Sequence, residues 1–89
     1  MESEEEKEIK KAEHAKNLLK DPLLQEVLDK MEEEYTVTWR NTKTDETEAR
    51  ELLWQLLWAI GEFRSHLSVI MQRGEFHKDR LQKSIKRKR

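Results

Sequence analysis

Histidines are the side chains of this sequence best suited to hold a metal ion or to transfer a proton near neutral pH. There are three of them, His14, His66 and His77, and they fall on separate segments. Glu62 precedes His66 by four residues, which would place two potential ligands on one face of a helix. A protein metal site needs further ligands from elsewhere in the chain. This pair alone therefore does not predict a metal site.

Other catalytic patterns are missing from the sequence. The chain has no cysteine and only two glycines, so it offers neither a thiol nucleophile nor a glycine-rich phosphate loop. No serine lies in the setting of a nucleophile elbow. Carboxylates are abundant, but they belong to segments that we expect to form solvated helices. We therefore expect no enzymatic activity and no cofactor.

A basic stretch lies at the C-terminal end. Residues 78–89 contain seven Lys or Arg and one Asp, whereas residues 1–8 contain five Glu and one Lys. Flexible basic side chains can neutralise phosphates without reading a base sequence. The stretch indicates either a contact with nucleic acid, such as DNA, or with an acidic partner, or else a solvated tail that only maintains solubility. The candidate nucleic-acid contacts are Lys78, Arg80, Lys83, Lys86, Arg87, Lys88 and Arg89.

The three tryptophans lie around one polar turn. Trp39 is expected to be mostly buried and to close this turn. A local cluster of salt bridges and cation–π contacts is expected beside it, formed with Arg40, Arg50, Glu46 and Glu48. Trp54 and Trp58 are four residues apart and, together with Leu57, form the candidate protein interface. Three explanations of these two indoles stay open. The first helix covers them, a second copy of the chain buries them, or a different protein or a nucleobase does.

The elements that must position these residues are helices, because Gly and Pro are scarce and Glu, Lys and Leu are abundant. One helix is predicted within residues 1–20 and a second at 22–41, capped by Asp21 and started by Pro22. A third is predicted at 46–73, where apolar residues alternate by four and three and place Leu56 and Ile60 on the seam. Gly74 is expected to end it as a left-handed C-cap, with Phe76 folded back on the last turn.

The expected fold is therefore all-α. It consists of an acidic amphipathic helix at residues 1–20, an antiparallel helical hairpin at 21–74 and a basic tail at 75–89. With 89 residues, of which 35% are hydrophobic, a self-sufficient core is marginal, so we expect a homo-oligomer. No apolar run reaches the roughly 20 residues that cross a bilayer, and we expect a soluble intracellular protein without a membrane partner.

Residues 12–74 resemble small helical proteins encoded by tailed bacteriophages and prophages. The resemblance is carried by "DPLLQEVLDKMEEEY", "WRNT", "DETEAREL" and the sequence from "HL" to Gly74. Members of that group are often encoded near packaging and head genes. The resemblance implies a phage protein located in the cytoplasm of the bacterial host or on the virion. It assigns no functional residues, and the basic tail lies outside it.

Two functions follow as hypotheses. In the first, the protein is a non-enzymatic component of phage genome packaging or particle assembly, which oligomerises through its helices and contacts DNA through its tail. In the second, it is a small helical adaptor or inhibitor that binds a phage or host protein through the face of Trp54 and Trp58.

Overall fold

The chain folds into α-helices. A computed structural model describes residues 2–87, and side chains are described for residues 2–85. Three helices are present in this range: α1 at Glu4–Lys20, α2 at Pro22–Arg40 and α3 at Thr47–Arg87. No strand occurs within residues 2–87. The all-α prediction is confirmed.

Short polar side chains fix where the first two helices begin. The Ser3 hydroxyl accepts a hydrogen bond from the Glu6 amide at 3.1 Å, and three glutamates occupy the first turn of α1. The Asp21 carboxylate accepts one from the Leu24 amide at 2.9 Å, and Pro22 follows it as predicted. These acceptors satisfy backbone donors that a helix leaves unpaired at its start.

The end of α3 differs from the prediction. Gly74 does not end the helix, because α3 continues through it to Arg87 and no glycine has a positive φ. A Cβ at position 74 would overlap the Ala12 methyl group and lie 2.9 Å from the Glu8 carbonyl oxygen. Glycine is therefore present because the backbone of α1 approaches closely at this point, and a left-handed turn is not the reason.

Contacts divide the chain into two compact units. Unit 1 combines Met1–Lys20 with His66–Arg89, and unit 2 is Asp21–Ser65. In unit 1, α1 packs on the last part of α3 through small residues, since Ala12, Ala15 and Gly74 are all buried. The first helix thus has a packing partner, which includes the end of the predicted hairpin as well as the segment predicted to be a tail.

Unit 2 contains α2 and the first part of α3. Leu28 and Ile60 are its buried apolar side chains, at 8% and 6% exposure. Arg64 donates a hydrogen bond to the Asp29 carboxylate at 2.8 Å, and its Nε lies 3.7 Å from the Glu32 carboxylate. The hydrogen bond that Arg64 donates to Asp29 raises the pKa of the Arg64 guanidinium above its ordinary value. This cluster links α2 to α3 at the far end of the unit from the connecting loop.

A helix that crosses a bilayer needs about 20 consecutive, predominantly apolar residues. Within residues 2–87, no helix combines the length and the apolar composition that crossing a membrane demands.

Candidate nucleic-acid and protein interfaces

The basic residues lie on a helix. Lys78, Arg80 and Lys83 are exposed side chains on the last turns of α3, whereas the sequence predicts a tail beyond the third helix. Lys83 pairs with Asp79 at 3.2 Å, whereas Lys78 and Arg80 have no ion-pair partner among residues 2–85. The surroundings of the four remaining candidate side chains are not described. The structure describes only the backbone of Lys86 and Arg87, and Lys88 and Arg89 lie outside the described residues.

Phe76 belongs to the same surface. It precedes Arg80 by four residues and Lys83 by seven, so the three side chains share one face of α3. Its ring is 63% exposed and does not fold back on a helix end as predicted, because the helix does not end there. The ring contacts His77 edge to face, with centroids 5.8 Å apart. We name Phe76, Arg80 and Lys83 the basic face. The i, i+4, i+7 spacing of these three residues in the sequence could have indicated that Phe76 belongs to this surface.

The acidic start of α1 belongs to the same unit as the basic face. The Glu5 carboxylate lies 4.0 Å from His77 Nδ1, which is buried without a hydrogen-bond partner in the described structure. Other glutamates of α1 pair with lysines of the same helix, as Glu4 does with Lys7 at 3.6 Å. The acidic start of α1 thus places one carboxylate, that of Glu5, beside the C-terminal part of α3.

Trp54 and Trp58 are uncovered. Their side chains are 56% and 57% exposed, while Leu57 beside them is half-buried. The first of the three explanations, a cover formed by α1, is therefore wrong, because α1 packs within unit 1 on residues 66–87. The two explanations that involve a partner remain.

Two small residues continue the line of these indoles along α3. Gly61 and Ser65 follow Trp58 by three and seven residues, so they share its helical face. Both are exposed, and a Cβ built at Gly61 would meet no atom within 4 Å. We name Trp54, Trp58, Gly61 and Ser65 the tryptophan face.

Trp39 has an intrachain role at the loop between α2 and α3. The Arg50 guanidinium carbon lies 4.3 Å from the centre of its indole ring, which confirms the expected cation–π contact. Arg50 also donates a hydrogen bond to the Thr42 hydroxyl at 2.8 Å, and this hydroxyl donates to the Trp39 carbonyl at 2.6 Å. The side chain is still 36% exposed, so the expectation that it is mostly buried overstates its packing.

The fold does not bring the three histidines together. His14 and His66 are exposed, and His77 lies against Glu5. Within the described part of the chain, no three His, Cys, Asp or Glu side chains are placed to hold a metal ion together.

The chain matches no family model, no curated protein and no solved structure. What the basic face and the tryptophan face bind is therefore inferred from their own chemistry.

Proposed function

We propose that the protein is a non-enzymatic, DNA-binding component of a tailed bacteriophage that acts as an oligomer in genome packaging or particle assembly. The observation that carries the proposal is the basic face, which presents Arg80 and Lys83 beside an exposed aromatic ring on an exposed helix. The resemblance of residues 12–74 to phage proteins supplies the biological setting. The site of action would be the cytoplasm of the bacterial host or the virion.

The proposal includes an antiparallel hairpin formed by α2 and the first part of α3. Two contacts support it. Trp39, at the end of α2, meets Arg50, near the start of α3, whereas Asp29 earlier in α2 meets Arg64 later in α3. Contacts in this order are those of two helices that run in opposite directions.

Charge explains how such a surface would bind DNA. Residues 66–89 contain eight Lys or Arg and two Asp or Glu, which makes this part of unit 1 strongly basic. Each neutralised phosphate releases condensed counterions, so the affinity falls with salt at a slope of about −0.9 per contact. Seven contacts from residues 78–89 would give a slope of roughly −6. An oligomer would engage several such segments, and multivalency would raise weak contacts to useful affinity.

The test measures the salt dependence of binding to duplex DNA. Because residues 78–87 are helical and belong to unit 1, substitution is preferable to deletion. We expect the wild type to bind duplexes of different sequence with similar affinity at about 50 mM salt. A triple variant, Lys78→Gln, Arg80→Gln and Lys83→Gln, should bind more weakly, and its salt slope should be shallower by about 2.7.

A matched variant controls for net charge alone. Lys7→Gln, Lys10→Gln and Lys11→Gln remove the same number of charges from exposed positions of α1. The proposal expects this control to bind DNA nearly as well as the wild type. If both triple variants weaken binding equally, the three basic side chains of α3 have no special role in DNA binding. If the wild type retards no duplex at that salt, DNA binding is ruled out.

The second candidate is a small helical adaptor or inhibitor that binds a phage or host protein. It is favoured by the exposure of Trp54 and Trp58, since tryptophan is a frequent anchor of protein interfaces. This candidate predicts no DNA binding at low salt and the loss of a protein partner when both indoles are replaced by serine.

A further inference from the structure

The tryptophan face has bulky residues at one end and small residues at the other. Its members follow Trp54 by four, seven and eleven residues, and all of them belong to unit 2. The intervals of four, three and four residues read the same from either end. A face with this spacing can therefore lie against a copy of itself that runs in the opposite direction, with each bulky residue opposite a small one.

Gly61 has no explanation within its own chain. Glycine in a helix interior destabilises the helix relative to alanine, so its presence usually marks a close approach of another backbone. Gly74 fits this pattern, because Ala12 and the Glu8 carbonyl fill the space beside it. Gly61 lies in the same helix, yet the space beside it is empty.

We propose that the tryptophan face is the docking site for a second copy of this chain, related to the first by a two-fold axis with the α3 helices antiparallel. Trp58 packs over Gly61 of the second copy, and Trp54 packs over its Ser65. Gly61 and Ser65 are thus specificity-determining residues of the interface, because larger side chains would exclude the indoles. This inference rests on the oligomer of the proposed function and names the surface that forms it.

The residues that flank the face support a copy of the chain as the occupant, and the two indoles supply part of the area that a dimer needs. On the flank that carries Gln55 and Glu62, the same register places the Gln55 amide of one copy near the Glu62 carboxylate of the other, so the two Glu62 side chains do not face each other. Within its own chain the Gln55 amide donates a hydrogen bond to Glu51 at 3.4 Å. With 56% and 57% of their surfaces exposed, the two indoles present roughly 170–280 Å² per copy. This is between about a quarter and a half of the roughly 600 Å² that each partner contributes to a small stable interface.

Mass in solution tests the proposal, by analytical ultracentrifugation over a range of concentrations. The wild type should form dimers. Gly61→Trp should be monomeric, because its new indole meets Trp58 of the second copy. Trp58→Ala should also be monomeric, because it leaves Gly61 unfilled. Ala59→Leu adds a large side chain at an exposed position off the face and should dimerise like the wild type.

The decisive sample is an equimolar mixture of the Gly61→Trp and Trp58→Ala variants. In a heterodimer of the two variants, position 58 of each chain faces position 61 of the other. Both of these contacts then pair one large residue with one small residue, as in the wild type. Dimers should therefore reappear in the mixture. A wild type that stays monomeric up to roughly 100 μM, or a mixture that stays monomeric, overturns the proposal.

DNA retardation in the same samples separates this inference from the proposed function. A monomer that binds DNA would overturn the two-fold interface and the oligomer that it forms, and would leave the DNA-binding function standing. A dimer that binds no DNA would support the interface and overturn the DNA-binding function. A second protein that binds the wild-type monomer through the same face would show a different occupant and overturn the two-fold dimer.

Discussion

The two glycines of α3 provide a matched pair of perturbations. We predict that Gly61→Ala stabilises the protein and that Gly74→Ala destabilises it, although both substitutions add one methyl group to the same helix. At position 61 the new methyl group meets nothing within 4 Å. At position 74 it overlaps the Ala12 methyl group and lies 3.3 Å from the Ala12 Cα. Backbone atoms cannot rotate away, so the helices of unit 1 would have to separate.

The magnitudes follow from two opposing effects. Replacing a helical glycine by alanine stabilises a helix by about 0.8–1.0 kcal/mol, and Gly61→Ala should gain this amount. For a domain of this size, such a gain raises the melting temperature by about 4–8 °C. Gly74→Ala gains the same helix propensity but suffers overpacking, which costs about 1–3 kcal/mol. Its net effect should be a loss of up to about 2 kcal/mol.

Thermal unfolding followed by far-ultraviolet circular dichroism measures both changes. The protein should be dilute enough to be monomeric, so that Gly61→Ala reports on the helix and not on the proposed dimer. Amide hydrogen exchange at α1 adds a local readout, because only Gly74→Ala should lower its protection. A double variant with Ala12→Gly gives the coupling energy between the two helices.

One result would refute the reasoning. If Gly74→Ala stabilises the chain as much as Gly61→Ala does, then α1 does not approach α3 at Gly74. Absence of coupling with Ala12→Gly would lead to the same conclusion.

Two further predictions concern unit 2. Ile60→Asp should unfold the unit, because an unpaired charge at a position that is only 6% exposed has no compensation. Leu52→Asp changes an exposed position and should leave the unit folded. Circular dichroism measures the helix content of both variants, and equal spectra would contradict the assigned core. Arg50→Met should remove the cation–π contact with Trp39, cost about 0.5–1 kcal/mol in urea unfolding and shift the emission of Trp39 in a background without the other two tryptophans. Thr42→Val should shift that emission less, since it leaves the guanidinium in place, and an unchanged spectrum in both variants would argue against the stacked geometry.

Sequence alone predicted the features that depend on neighbouring residues. The start of α2 followed from Asp21 and Pro22, whose capping chemistry is complete within one helical turn. A cation–π contact at the turn was also predictable, because a short loop brings its charged residues close to Trp39. The structure identifies Arg50 as the partner, where the sequence had offered both Arg40 and Arg50. Ile60 was assigned to the buried seam from its heptad position, and it is buried.

The predictions that were wrong concern features that depend on residues far away in the sequence. Glycine at the end of a periodic apolar run is the usual sign of a C-cap, and Gly74 matched this pattern. What allows the helix to continue is that Gly74 lies against Ala12, 62 positions earlier in the sequence. The same contact explains why α1 leaves Trp54 and Trp58 uncovered. No local pattern in residues 4–20 indicates which helix they will contact.

The division of the chain also affects the order in which it can fold during synthesis. Unit 1 is discontinuous, since all of unit 2 is inserted between its two parts. Chains emerge from the ribosome N-terminus first, and contacts between distant segments are slow to form because a long loop must close. Residues 4–20 would therefore be translated first and yet acquire their packing partner last. Until residues 66–87 have emerged, α1 would have to persist on helix propensity and its Ser3 cap, whereas unit 2 could already be complete.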